Sequence, residues 1–154
     1  MLQVNTPAPN FTLPDQAGKN ISLGDYKAEK NVVIYFYPKD DTSGCTLEAQ
    51  QFSLLIKEFS ANETIVIGVS KDSCDSHQGF INKYDLKVEL VSDADGKLCD
   101  KYEVWQEKEK NGVKKMGIVR STFIIDKQGN LADVEYGVNV DGHAQAVLDK
   151  IKAL

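Results

Sequence analysis

The two most apolar stretches of the chain constrain its fold more than any other feature. They are NVVIYFY at 31–37 and TIVIGVS at 64–70. Both are nearly continuous runs of β-branched and other apolar residues, whereas a strand with one wet face would alternate apolar and polar residues. Runs of this kind are typical of strands that are covered on both faces. The sequence therefore predicts a central sheet with layers packed on both of its sides.

The segments around these strands complete an α/β pattern. Apolar residues between the two strands recur at helical spacing on one helix face: Cys45, Ala49, Phe52, Ile56 and Phe59. The other predicted elements are two short strands (11–23), a helix (75–84), a strand (88–93), a short helix (95–104) and a hairpin (121–137). A final helix is predicted from its N-cap and one apolar face: Asp141, then Ala144, Val147, Ile151 and Leu154. This order predicts a mixed sheet with helices on both faces and an N-terminal β-hairpin.

Composition predicts one globular domain over residues 1–154, with 42% hydrophobic and 27% charged residues. The net charge is −5, and the lysine-rich run at 107–115 is mixed in sign, so nucleic acid is not an expected partner. That run is interpreted as an exposed loop tip with a turn at Asn111 and Gly112. The sequence has neither a secretory signal pattern nor an apolar run of membrane-spanning length. We therefore expect a cytoplasmic protein that does not bind membranes.

The cysteines and histidines do not form a structural framework. An odd number of widely spaced cysteines, at 45, 74 and 99, does not describe a disulfide scaffold. The two histidines, His77 and His143, are too far apart in the sequence to give a metal-ligand spacing with these cysteines. We expect His77 to be a surface or capping residue and His143 to be exposed, and we expect no metal site.

Cys45 stands where the first buried strand gives way to the following helix. An unperturbed thiol has a pKa of roughly 8.5, so only a small fraction is ionised at neutral pH. The first turn of a helix favours the thiolate, because its free N–H groups and positive dipole end stabilise an anion. Gly44 allows a close backbone approach, Thr42 supplies a hydroxyl group, and Pro38 fixes the exit from the strand. These residues predict a pocket that stabilises a reactive thiolate.

The segment FYPKDDTSGCTLEAQQF (36–52) resembles the active-site segment of the peroxiredoxins, in the form carried by the bacterioferritin comigratory protein (PrxQ) subfamily. The family pattern is a proline, a threonine four residues later and a cysteine three residues further on. Pro38, Thr42 and Cys45 meet it, and the glutamate that usually follows the cysteine is Glu48. Glu48 is a supporting residue with two open interpretations: a first-turn acid that favours the helix dipole, or a residue that positions an arginine.

A second motif, GIVRSTFIID (117–126), resembles the family segment with the active-site arginine, here Arg120. The resemblance spans essentially the whole chain, and it implies a thioredoxin-like fold and a thiol-dependent peroxidase without metal or other cofactor. It implies that the Cys45 thiolate attacks hydrogen peroxide or a small organic hydroperoxide and becomes a sulfenic acid. Arg120 would stabilise the anions, Thr42 would orient the peroxide, and Pro38 would shield the sulfur.

The chain departs from the family pattern at the cysteine that resolves the sulfenic acid. Many subfamily members carry it five residues after the first cysteine, where this chain has Gln50. Others carry it in the helix after the second buried strand, where this chain has Ile81. Three candidates remain for the thiol that reduces the sulfenic acid: Cys74, Cys99 and an external thiol (thioredoxin, glutaredoxin or glutathione). We favour the external thiol. Spacing does not decide, because a disulfide needs Cα atoms within about 7 Å. We expect a monomer or a weak dimer.

Two other functions fit part of the pattern. A thioredoxin-type thiol–disulfide oxidoreductase expects two cysteines separated by two residues, and Cys45 has no such neighbour. A non-enzymatic redox sensor or holdase needs the same thiolate as a peroxidase. Turnover of peroxide with a reductant separates the two functions, since a sensor reacts once and stops.

Overall fold

The computed structural model describes all residues, 1–154. The strands are β1 (Thr12–Pro14), β2 (Asn20–Ser22), β3 (Asn31–Phe36), β4 (Thr64–Ser70), β5 (Glu89–Ser92), β6 (Trp105–Lys110), β7 (Val113–Ile118), β8 (Ser121–Ile125) and β9 (Leu131–Tyr136). The helices are α1 (Ser43–Leu54), α2 (Ile56–Ala61), α3 (Cys74–Tyr84), α4 (Lys97–Lys101) and α5 (His143–Lys152), with a 3-10 turn at Leu23–Tyr26. None of these helices has the length and apolar character that crossing a membrane requires.

Five strands form the central sheet in the order β5-β4-β3-β8-β9. β3, β4 and β5 run parallel, whereas β8 is antiparallel to both β3 and β9. The carboxyl ends of the three parallel strands therefore lie at one edge of the sheet. β8 begins at that same edge, because Ser121 pairs with Phe36. This register places Arg120, the residue before β8, beside the loop that follows β3.

Side chains of the sheet fill two apolar cores, one on each face. Val33 and Tyr35 of β3 contribute to the core that α1, α2, α3 and α5 cover, which we call the four-helix face. Val32 and Ile34 contribute to the core on the opposite, hairpin face, which the β1–β2 hairpin and α4 cover. Every residue of β3 is buried. The structure thus confirms the predicted mixed sheet with helices on both faces and an N-terminal hairpin.

The helix predicted over Cys45 to Phe59 is divided at one residue. α1 ends at Leu54 and α2 begins at Ile56, and the intervening Leu55 has a ψ of 3°. The N–H group of Leu55 donates to the carbonyl of Phe52, three residues back, at 3.1 Å. This tightened last turn ends α1 in the way 3-10 turns commonly end helices.

The charged run at 107–115 is exposed and turns at Asn111 and Gly112, as predicted, but it forms two paired strands, so its interpretation as a loop was wrong. β6 and β7 pair antiparallel around Asn111 and Gly112, whose φ angles are 53° and 77°. Positive φ at both central residues is the geometry of the two-residue turn that matches strand twist. Cross-strand hydrogen bonding therefore orders a segment whose polar composition resembles a loop.

The last helix differs from its prediction at both ends. It begins at His143 after Gly142, so the prediction of Asp141 as the N-cap was wrong. Gly142 has a φ of 68°, a left-handed conformation that glycine adopts at little cost, and the helix therefore starts one residue later. Leu154 is 58% exposed because α5 ends at Lys152. Its predicted place on the buried face was wrong.

Candidate active site

Cys45 lies in the first turn of α1, on the four-helix face of the sheet. The helix begins when the N–H group of Thr46 donates to the carbonyl of Thr42 at 2.8 Å, and Cys45 is the third helical residue. The residue is only 2% exposed. Its position in the first turn puts the sulfur at the positive end of the helix dipole, as the sequence predicts.

The guanidinium group of Arg120 reaches this sulfur from the start of β8. Nη2 donates to Sγ of Cys45 at 3.3 Å, and Nη1 donates to Oε1 of Glu48 at 2.7 Å. A Cβ atom on Gly44 would lie 3.2 Å from Nη2, so the glycine makes room for the guanidinium. Burial lowers the pKa of Arg120, but Glu48 and Cys45 raise it by more, so the group stays charged. The site therefore holds a desolvated cation against the thiol.

Glu48 is the acid that Arg120 contacts, and it is 1% exposed on its side chain. Burial raises the pKa of Glu48 to about 7, against the opposing charge and hydrogen bond of Arg120. At neutral pH the carboxyl group is therefore divided between its neutral and charged forms. Its second oxygen, Oε2, and the hydroxyl of nearby Tyr35 are buried without a hydrogen-bond partner. Of the two interpretations of Glu48, contact with the arginine is the one that this geometry favours.

Thr42 and Pro38 lie in the loop from 37 to 42 that joins β3 to α1, which we call the β3–α1 loop. The Thr42 hydroxyl donates to the carbonyl of Lys39 at 2.9 Å, and its oxygen lone pairs stay available to accept a hydrogen bond. Both Thr42 and Pro38 are exposed. The structure therefore brings Cys45, Arg120 and Glu48 into direct contact, and it places these two residues on the loop that leads to them.

The other two thiols lie on different faces of the sheet. Cys99 packs in the core of the hairpin face and is fully buried, whereas Cys45 belongs to the four-helix face. Burial and the carboxylate of Asp93 raise the pKa of Cys99 far above its ordinary value, so this thiol is held neutral. Cys74 is the half-buried first residue of α3, which covers the same face as Cys45. All three thiols are free.

Both histidines are buried, so the prediction that His77 and His143 lie at the surface was wrong. His77 is fully buried, with Nδ1 2.8 Å from Oδ2 of Asp40 and Nε2 2.9 Å from the carbonyl of Val91. His143 is 5% exposed, and its Nε2 lies 2.8 Å from the hydroxyl of Thr122. Burial lowers the pKa of His143. The reason for the error is that each ring has polar partners from distant segments, which local sequence does not reveal.

The sequence analysis did not predict the cluster of polar side chains around Asp40. Single ligand atoms of Asp40, Asp72 and His77 lie within 4.8 Å of one another. Each of these side chains has protein hydrogen-bond partners, and we assign no metal to them. No signal in the sequence joins these residues, although Asp40 lies inside the motif that includes Cys45.

Sequence and structure both relate the chain to characterised proteins. The AhpC/TSA family model matches residues 4–134. A putative peroxiredoxin bcp of Helicobacter pylori strain J99 is 46% identical over 150 residues, which cover 97% of this chain and 98% of that protein. The peroxiredoxin Bcp of Bacillus subtilis is 39% identical over 151 residues, covering 98% and 96%.

The fold is similar to that of the bacterioferritin comigratory protein of Xanthomonas campestris, whose trapped intermediate and ligand complexes concern alkyl peroxide reduction. The TM-score is 0.91 at 37% identity, with 98% of each chain covered. This similarity confirms the thioredoxin-like α/β fold.

Proposed function

The chain belongs to the AhpC/TSA family and is a peroxiredoxin, a thiol-dependent peroxidase, and from that premise we propose which residues carry the reaction. Cys45 is the thiol that peroxide oxidises. Arg120, Thr42 and Pro38 complete the catalytic site, and Glu48 supports the arginine. The contact between Nη2 of Arg120 and Sγ of Cys45, at 3.3 Å in the first turn of α1, is the observation that carries this proposal.

The reaction follows from the charges at the site. The Cys45 thiolate attacks one peroxide oxygen, an S–O bond forms as the O–O bond breaks, and the second oxygen leaves with the electron pair. That oxygen takes one proton and departs as water or an alcohol, and the sulfur becomes a sulfenic acid. Both the thiolate and the leaving oxygen are anionic, so a guanidinium in a desolvated pocket stabilises the transition state. A hydrogen bond to Thr42 would orient the peroxide, and Pro38 would limit access of water.

The proposed substrates are hydrogen peroxide and small organic hydroperoxides. Cys45 is only 2% exposed, which suits an oxidant with few atoms around its O–O bond. The alkyl peroxide reduction described for the Xanthomonas campestris relative supports the organic substrates.

An external thiol is the proposed reductant of the sulfenic acid. Cys99 packs on the opposite face of the sheet from Cys45, which argues against a direct bridge between them. Cys74 shares the face of Cys45 and is the competing candidate. The external thiol would be thioredoxin, glutaredoxin or glutathione, acting on a monomer or weak dimer in the cytoplasm. Residues 1–154 would act as one domain.

Two measurements test these assignments. One is the consumption of hydrogen peroxide with an excess of reductant, and the other is mass spectrometry of the intact protein and its peptides after one equivalent of hydrogen peroxide. We expect Cys45→Ser to abolish peroxide consumption, while Cys74→Ser and Cys99→Ser keep it. We expect the wild type to gain one oxygen on Cys45. A mass loss of two hydrogens with a Cys45–Cys74 peptide would instead identify an internal resolving cysteine. Peroxide consumption by Cys45→Ser would remove the whole assignment.

A further inference from the structure

The β3–α1 loop is anchored by buried polar contacts to the neighbouring β4–α3 crossover. The carboxylate of Asp40 accepts from the hydroxyl of Tyr37 at 2.6 Å and from that of Ser76 at 2.8 Å. The backbone N–H group of Asp40 donates to Oδ2 of Asp72 at 2.8 Å. The ring of His77 completes this group with a contact of 2.8 Å to Oδ2 of Asp40. Four residues of the two crossovers thus converge on Asp40.

His77 and Asp40 form a buried hydrogen bond. Nδ1 of His77 lies 2.8 Å from Oδ2 of Asp40, and Nε2 faces the Val91 carbonyl at 2.9 Å. Burial raises the pKa of Asp40, but hydrogen bonds from His77 and Tyr37 outweigh it and hold that pKa below its ordinary value. Asp40 is therefore a carboxylate, and this carboxylate is 7% exposed and accepts from a fully buried ring.

We propose that the hydrogen bond between His77 and Asp40 holds the β3–α1 loop in the geometry that peroxide reduction needs. This inference rests on the proposed function, because it assigns both residues as positioning residues for that reaction. Asp40 is two residues before Thr42, whose carbonyl accepts the first hydrogen bond of α1. A shift of Asp40 would therefore move both the hydroxyl that orients the peroxide and the turn that carries Cys45.

The burial of Asp40 makes the loss of a donor costly. Without the donor from His77, the buried carboxylate is left less compensated in a poor solvent for its charge, so it moves toward water. An adjacent ion pair, between Lys83 and Asp41, joins the same loop to the end of α3 but is exposed, with side chains 59% and 39% accessible. Exposed pairs of this kind contribute little. The exposed pair is therefore the matched control for the buried one.

Two substitutions of His77 separate its two contacts. In His77→Asn the amide nitrogen occupies the place of Nδ1 and can still donate to Asp40, whereas the contact with Val91 is lost. In His77→Gln the amide nitrogen approaches the place of Nε2, so the contact with Val91 is kept and that with Asp40 is lost. Asp40→Asn removes the carboxylate itself and provides a second variant if His77→Gln does not fold. Lys83→Met is the control.

Two rates at Cys45 are compared by rapid quenching and mass spectrometry: oxidation by hydrogen peroxide, and alkylation by iodoacetamide. Peroxide oxidation depends on the loop geometry, whereas alkylation needs only an accessible thiolate. We expect oxidation to fall about 10- to 100-fold in His77→Gln and Asp40→Asn, the range that a small misplacement costs. Alkylation should fall less than about threefold, and Lys83→Met should change neither rate by more than about twofold.

The ratio of the two rates tests the positioning role, and the wild-type oxidation rate tests the proposed function. A purely structural role would lower the melting temperature and leave the ratio unchanged in folded variants, and that result would overturn the proposal. An equal loss of oxidation in His77→Asn and His77→Gln would also overturn it, because Asp40 would then not be the partner that matters. Retention of the ratio in His77→Asn alone supports the hydrogen bond to Asp40.

Discussion

Replacement of Glu48 by glutamine is expected to remove one contribution to the dependence of stability on pH. Burial raises the pKa of Glu48 to about 7 from an ordinary value of 4.5, with Arg120 opposing the shift. Between these two values the folded protein binds the proton more tightly than the unfolded chain does. The free energy of unfolding therefore falls as the pH rises through this interval.

The magnitude follows from the size of the shift. A displacement from 4.5 to about 7 corresponds to about 3 kcal/mol of unfolding free energy, fully lost above the folded-state pKa. Glutamine has the same size and keeps an oxygen that accepts from Nη1 of Arg120, but it does not ionise. The variant and the wild type should have similar stability at about pH 4, where the carboxyl is neutral in both states. At about pH 8 the variant Glu48→Gln should be more stable by about 3 kcal/mol.

Urea denaturation followed by circular dichroism, repeated across this pH range, measures the difference. Glu58→Gln is the matched control, because Glu58 is an exposed acid of the next helix. The difference between Glu48→Gln and the wild type should grow with pH, whereas Glu58→Gln should follow the wild type. Parallel curves for Glu48→Gln and the wild type would refute the reasoning, because they would mean that the folded state does not hold the Glu48 proton more tightly.

Three further changes test other parts of the structure. Arg120→Lys keeps the charge but loses the planar guanidinium that donates to both Cys45 and Glu48. Peroxide oxidation of Cys45, measured by stopped flow, should therefore slow by about 100-fold or more. An unchanged rate would exclude the arginine from the site. Gly68→Ala would place a Cβ 2.7 Å from the ring of Tyr35, so urea denaturation should show a loss of about 1–3 kcal/mol; wild-type stability would contradict this packing. Burial and the neighbouring Asp15 raise the pKa of Glu89 to about 7, so Glu89→Gln should stabilise the protein at alkaline but not at acidic pH; equal effects at both would refute the shift.

The fold was predictable because its main signals are local. A strand that is buried on both faces needs an apolar residue at every position, and 31–37 and 64–70 show this directly. The register between β3 and β8 is not local, since it pairs Ser121 with Phe36 across most of the chain. Polar composition also misled the interpretation of 107–115, because hydrogen bonds between β6 and β7 order residues that have no apolar pattern.

The candidate site was predictable to the extent that a motif covers it. Cys45 and Arg120 lie in two motifs, and the contact of 3.3 Å joins them as that interpretation requires. His77 was placed wrongly because a single histidine on a short helix has no local feature that distinguishes a buried ring from a surface residue. Its partner, Asp40, lies 37 residues away. Only the adjacency of the two parallel crossovers brings them together.

The three cysteines show that position in the fold, and not residue type, distributes the chemistry. Cys99 lies beside the carboxylate of Asp93, and burial together with that charge keeps its thiol neutral. Cys45 is as buried as Cys99, but its neighbours are a helix N-terminus and a guanidinium. A cationic neighbour favours a thiolate and an anionic neighbour disfavours it, which is why the proposed peroxide chemistry belongs to Cys45 and not to Cys99. An exchange of those charges, and not of the sulfur atoms, would be needed to move the reactivity from one site to the other.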